Sequence, residues 1–213
     1  MTIRSIAPLD AAPYQFSQRA LDLILRNEGL DQGVWPGGAS GITIGRGYDL
    51  GYHTTDEFDR DWRGKLPTQA MHLLRASIGL KGEAAHQRAR ALRGRITIAR
   101  TDADAVFLLR ELPKTIRLAM DAFPGMERLP LDAQGALVSL VFNRGARMQD
   151  NDPVLQERRE MRAIAAAVMR GELESIAKQI RAMKRLWVGK GLDGLLRRRD
   201  EEADLVMDSI AAS

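Results

Sequence analysis

Between Glu28 and Gly51 the chain reads EGLDQGVWPGGASGITIGRGYDLG, and three groups in it could do chemistry together. Glu28 offers a carboxylic acid, Thr43 a hydroxyl fifteen residues later, and Asp49 a second carboxylate six residues beyond that. Hydrolysis of a sugar acetal by an inverting route needs such a set: an acid to protonate the leaving oxygen, and a base with an orienting partner to hold water on the opposite face. In that scheme Glu28 is the acid, and burial against apolar groups must hold its pKa above the reference value of about 4.3. Asp49 is the base, and the Thr43 hydroxyl binds the same water. If Thr43 and Asp49 lie on the two arms of a hairpin across from Glu28, a carboxyl separation of about 6.5–9.5 Å leaves room for water and implies inversion. Each residue also has a plain structural reading: Glu28 in a surface ion pair, Asp49 as a turn residue bonded to its own backbone, Thr43 as a strand former.

The elements that must position these groups are legible in outline. Ser17 can cap a helix running to about Asn27, with Ala20, Leu21, Ile24 and Leu25 on one face and Gly29 ending it. Glu28 then leaves the last turn. The Gly-rich stretch from Val34 to Gly51 holds short strands at Gly41 to Gly45 and Arg46 to Asp49, a hairpin or small sheet. Beyond it the pattern is helical: a helix capped by Thr55 to about Arg63, others at Pro67 to about Ser77 and Gly82 to Leu92, and a helix from Thr101 with Asp104 as a capping box, which Pro113 must bend. Phe123-Pro124-Gly125 breaks the chain before a buried helix from about Leu131 to Asn143, closed by Gly145. Three more follow, at about Gln156 to Arg170, Glu172 to Leu186 and Leu192 to Ile210.

Composition narrows the function classes. At 213 residues, 45% hydrophobic and 28% charged, the chain is long enough for one sizeable core and has the balance of a folded protein. With no Cys, and with His53, His72 and His86 in no ligand-like cluster, neither disulfides nor a metal site is expected, and no cofactor is implied. A pI near 9.7 suits an anionic partner. The basic residues are interleaved with acids and aromatics are only 5%, so base-stacking platforms are few and nucleic acid is not the expected partner. The first residues lack the apolar core of about 7–15 residues of a secretory signal, and no run of about 18 apolar residues could span a membrane. The expectation is a monomer made in the cytoplasm.

Glu28-Gly29 followed by Ser40-Gly41-Ile42-Thr43-Ile44-Gly45-Arg46-Gly47 resembles the active-site hairpin of the phage-type lysozymes, glycoside hydrolase family 24. The Glu-to-Thr spacing equals that of the best-known phage enzymes. Those enzymes carry their catalytic Asp between the two, nine residues after the Glu, where this chain has Gly37. Gly47-Tyr48-Asp49-Leu50-Gly51 is instead similar to the branch that includes pesticin, in which the Asp follows the Thr; Asp49 inherits the role and Asp31 becomes a surface residue. Leu137 to Gly145 is similar to the family's central buried helix, which places Asn143 against the glycan. Gly191-Leu192 with Arg197-Arg198-Arg199 and Glu202 resembles the family's last motif, from which an Arg can pair with the catalytic Glu; the run otherwise reads as a solvated face with one member turned inward.

The resemblance implies a mainly α (α+β) lysozyme-like fold, a small β-hairpin lobe and a larger helical lobe with the cleft between them. Residues 1–16 would be an N-terminal extension and 17–213 a single catalytic domain, with the β lobe at about 30–52 and the helical lobe at about 55–210. The implied activity is hydrolysis of the β-1,4 bond between N-acetylmuramic acid and N-acetylglucosamine in peptidoglycan, without a cofactor, by a phage endolysin or bacteriolytic toxin. Such an enzyme acts on the wall after holin-type release or dedicated secretion. Tyr48, Trp35 and Tyr52 could stack on sugar rings, although packing suits them equally; Tyr48 is the candidate beside Asn143 for substrate binding. Trp62 and Trp187 read as core, and His53 as structural. A lytic transglycosylase, which uses a single Glu and no water, and a non-catalytic wall-binding or phage structural module are the competing functions.

Overall fold

β-branched and aromatic residues alternate in only a few short stretches of this chain, so strands are few and helices take most of its length. The computed structural model describes residues 3–6 and 14–211. β1 (Ile3–Ile6) and β2 (Tyr14–Ser17) pair antiparallel with Ile3 opposite Ser17. Then come α1 (Gln18–Asn27), β3 (Asp31–Val34), β4 (Thr43–Gly45) and β5 (Tyr48–Asp49). The helices α2 (Thr55–Trp62), α3 (Thr68–Arg75), α4 (Gly82–Leu92) and α5 (Arg100–Val106) follow. Finally α6 (Leu112–Ala122), α7 (Leu131–Arg144), α8 (Arg159–Arg170), α9 (Leu173–Ala182) and α10 (Asp193–Ala211) lead to the C-terminus. Among the described residues no helix is long and apolar enough to cross a membrane. Of the anticipated extension 1–16, residues 1, 2 and 7–13 lie outside the described residues.

The chain divides into two compact units, Glu28–Leu112 and Met1–Asn27 with Pro113–Ser213. In the first, the strand order is β3-β4-β5, all antiparallel, with a bulge between Gln32 and Val34. Ile42, Ile44, Tyr48 and Leu50 are buried in one cluster with Phe58 and Trp62 of α2, Leu74 of α3 and Leu92 of α4. At about 1.5–3 kcal/mol for each fully buried large apolar side chain, this cluster is what holds so short a sheet. The sheet unit therefore extends well past residue 52, because its apolar face is covered by helices later in sequence.

Two helix starts differ from expectation. α2 is capped by Thr54, not Thr55, with a full capping box to Glu57. At α5 no box forms: Ala99 occupies the cap position without a side-chain bond, and Asp104 instead pairs with Arg46. An ion pair to a buried guanidinium outcompetes a local cap there. Ahead of Pro113 the backbone widens into a π-helical turn, Phe107–Glu111, which accommodates a residue with no N–H to donate.

In the other unit, Ser17 Oγ accepts from Ala20 N at 3.3 Å, as an N-cap should, and donates to Asp132 at the start of α7. α7 is buried from Asp132 through Val141. Its Gly135 lies where an added methyl would meet Ala20 Cβ at 2.1 Å, so α1 and α7 pack at nearly backbone contact.

Candidate active site on the three-stranded sheet

Gly45, Arg46 and Gly47 form the three-residue turn between the paired residues Ile44 and Tyr48 of β4 and β5, with Gly45 and Gly47 at φ 60° and 75°. This turn sets the register that matters: Thr43 stands directly opposite Asp49, and Ile44 opposite Tyr48. Because strand side chains alternate, Thr43 and Asp49 share one face while Ile44 and Tyr48 share the other. On β3, Gln32 is opposite Ile44, so Asp31 falls on the Thr43 face. The apolar face goes to the core and the polar face carries the candidate chemistry.

Thr43 is buried, and its hydroxyl has no hydrogen-bond partner among the described residues. Asp49 is held firmly. Its Oδ1 accepts from Gly41 N at 3.0 Å and Gly51 N at 2.8 Å, and its Oδ2 from Gly41 N at 3.1 Å. The carboxylate thereby caps the 3-10 turn Leu50–Tyr52 and ties it to the chain before β4. Gly41 and Gly51 meet face to face: a methyl on Gly41 would lie 2.3 Å from Gly51 N, and one on Gly51 2.8 Å from Gly41 Cα. Only glycine fits at both.

Glu28 is half-buried in the link between α1 and β3, and its carbonyl accepts from Arg46 Nη1 at 2.8 Å. The Arg46 guanidinium, buried and paired with Asp104, thus ties the β4–β5 turn to the backbone of the proposed acid. Sequence reasoning missed this positioning residue; the visible signal was a lone Arg inside an apolar, Gly-rich strand pair, where a charge needs a partner. Asp31, expected at the surface, is half-buried on β3. Burial raises its carboxyl above the ordinary value, and the neighbouring Glu28 charge raises it further. Among the described residues no group donates a hydrogen bond to it. Two carboxyls that repel one another, three residues apart, are therefore a second feature that the sequence reading passed over.

Tyr48 does not serve as a sugar platform. It is 1% exposed, stacked on His53 at 3.8 Å with its edge toward Trp62, and its hydroxyl donates to Asp61 Oδ2 at 3.2 Å. Its place opposite Ile44 puts it on the core face, and burial beside Asp61 pushes the phenol well above its ordinary pKa. His53 is packed against that ring, with Nε2 3.4 Å from Glu111. Tyr52 is exposed under Lys81, and Trp35 stacks on His86.

In the helical unit, Asn143 is exposed in the last turn of α7. Of the arginine run, Arg197 is exposed, but Arg198 and Arg199 are both buried, two inward members where one was expected. Arg199 Nη2 donates to Glu202 Oε1 at 2.8 Å, Ser139 Oγ donates to the same oxygen at 2.6 Å, and Arg198 Nη2 donates to the Ser139 carbonyl at 3.1 Å. Glu202 on α10 is the reason: a buried carboxylate one helical turn away draws both guanidiniums in. Trp187 lies beneath Arg144 and Arg199, 5.0 and 5.7 Å from the ring centre. Burial and the repulsion of Arg158 and Arg199 lower Arg144 to about 10.

A small antiparallel sheet with its helices and a larger helical unit define a lysozyme-like fold. The chain is similar in structure to the active form of P1 phage endolysin Lyz, with a TM-score of 0.54 at 17% identity over 92% of this chain and 86% of that one. Nine solved chains match in all. Residues 32–109, within the sheet unit, match the family model described as a domain of unknown function (DUF8812). No curated protein matches the chain in sequence.

Proposed function

We propose that this protein is a peptidoglycan-degrading muramidase of the phage-type lysozyme class, acting within one catalytic domain over residues 17–213. The observation that carries the reading is the register of Thr43 opposite Asp49: the hydroxyl of a buried threonine, without a partner among the described residues, beside a carboxylate locked by backbone amides, on the polar face of the sheet. Glu28 protonates the glycosidic oxygen. Water held by the Thr43 hydroxyl gives its proton to Asp49 and attacks the anomeric carbon from the opposite face, inverting it. Both Asp49 oxygens accept amide hydrogens, which fixes the direction of the remaining lone pairs. Asn143 contributes to glycan binding. The endolysin-like fold and the hairpin motif support peptidoglycan as substrate, reached after holin-type release or dedicated secretion from the cytoplasm.

A second reading of the base has its own support. Asp31 shares the polar face, is raised by burial and by the Glu28 charge, and among the described residues has no donor fixing it, so it can take the water in place of Asp49. Clearing of purified walls tests the acid first: Glu28→Gln should lower the rate by roughly 10²–10⁴ with an unchanged melting temperature. Equal clearing by both proteins would remove Glu28 from the mechanism. Product mass tests the class of reaction, since reducing ends support hydrolysis and 1,6-anhydro ends displace it in favour of a lytic transglycosylase.

A further inference from the structure

α4 packs along β3, and between them lies a pocket of about 300 Å³ wholly within the sheet unit. Three of its lining side chains, His86, Arg90 and Arg93, follow one another at spacings of four and three residues and so project from one side of α4 and its C-cap. Beside them in the lining is Trp35, whose ring stacks on His86 with centroids 4.6 Å apart and whose indole N–H is fixed to the Ser40 carbonyl at 3.1 Å. Gln32, also in the lining, has its amide taken up by the Ile98 backbone at 2.6 and 3.2 Å. By contrast, neither Arg90 nor Arg93 makes an ion pair or side-chain hydrogen bond among the described residues. Among the described residues no acidic side chain lines the pocket, although Glu83 approaches His86 Nδ1 at 3.5 Å from outside it.

A preformed aromatic wall beside two uncommitted guanidiniums is a site for a ring with an anionic substituent. We infer that this pocket binds an anionic amino sugar, its pyranose C–H face against the Trp35–His86 pair and its carboxylate or phosphate on Arg90 and Arg93. The sheet ties this pocket to the proposed chemistry, because Val34 in its wall pairs with Thr43. The inference rests on the peptidoglycan reading for the identity of the sugar. It adds a subsite one strand away from the reacting groups.

Titration of the full-length Glu28→Gln protein, followed by the indole N–H resonances, tests it without turnover. Three probes are compared: N-acetylmuramic acid, N-acetylglucosamine 6-phosphate and neutral N-acetylglucosamine. The expected result is a shift of the Trp35 indole and binding of at least one anionic sugar about tenfold tighter than the neutral one. Arg90→Ala with Arg93→Ala should erase that preference while weak neutral binding persists. A preference for the carboxylate assigns the site to muramic acid, and a preference for the phosphate assigns it to a phosphorylated wall sugar; both uphold it. Equal binding of charged and neutral sugars, a preference that survives in the double variant, or an unmoved Trp35 overturns it. Binding at Trp35 together with failure of the wild-type protein to clear walls would sink the muramidase reading alone, and wild-type clearing without such binding would sink the pocket alone.

Discussion

The polar face of the small sheet carries two aspartates in opposite circumstances. Asp49, on β5, is fixed by donors: Gly41 N and Gly51 N hold both of its oxygens in place. Asp31, at the head of β3, has burial and the Glu28 charge against its anion and, among the described residues, no donor to offset them. The first is a fixed base or a structural clamp. The second is a carboxyl whose charged form is disfavoured beside the proposed acid. A sheet of three strands thus holds one carboxylate whose position is overdetermined and one whose charge is disfavoured, and either could serve as the base opposite Glu28.

The clamp around Asp49 is the place to break this contrast most severely. Gly41→Ala would put a methyl 2.3 Å from Gly51 N and 2.4 Å from Asp49 Oδ1. The backbone must yield, so a stability loss of about 1–3 kcal/mol and near-complete loss of wall clearing are expected. Thermal melting and turbidity on the same sample check this; a normal melt with full activity would mean that the clamp is not needed. Asp49→Asn is the sharper probe, because one oxygen can still accept from both glycines. Clearing should fall about 10²-fold with a stability change near 1 kcal/mol. Equal losses of stability and little loss of rate would leave Asp49 as a clamp only and move the base to Asp31.

That the hairpin was readable in advance, and its surroundings were not, has a physical basis. Gly41 to Asp49 declares itself by β-branched residues between glycines, and α4 by an amphipathic period that ends where the pattern does, at Leu92. β3 does not declare itself. Asp31-Gln32-Gly33-Val34 has no strand composition; it is extended because β4 pairs with it and because the Gln32 amide is clamped by Ile98, sixty-six residues away. Local propensity cannot report a partner that distant. The same holds for Arg46, whose partners Glu28 and Asp104 come from two other segments, and for Arg198 and Arg199, which look like a surface run until Glu202 and Ser139 are placed. Tyr48 could have been assigned to the core from parity alone, since it alternates with Asp49 and a catalytic Asp49 forces its neighbour to the opposite face.

Asp31→Asn separates charge from function at the other end of the comparison. A carboxyl whose folded pKa lies above its unfolded one contributes stability below the unfolded value, and that contribution is lost as pH rises through the folded value. From 3.8, the ordinary value, upward to the raised one, the wild type therefore loses stability with pH, and the variant does not. The melting temperature of Asp31→Asn should exceed that of the wild type at pH 7, with the gap closing below about pH 4. Clearing should fall less than tenfold if Asp31 is only a neighbour of Glu28 and takes no part in the proton transfer. A larger loss would make Asp31 the base.

The smallest effect belongs to the core face, and it sets the control for the others. Tyr48→Phe removes one hydrogen bond, 3.2 Å long, to an Asp61 that keeps Arg110 as a partner. The ring remains, so its stacking on His53 and its edge contact with Trp62 are preserved. A loss of about 1 kcal/mol is expected, because one acceptor site on a buried but still paired carboxylate goes unfilled. Wall clearing and its dependence on substrate concentration should not change, because the phenol touches nothing on the polar face. A rise in KM without loss of stability would contradict the burial of Tyr48 and return it to the substrate. With that rise absent, activity changes in the aspartate variants can be assigned to the polar face alone, since a perturbation one residue away and equally close to β4 leaves the rate intact.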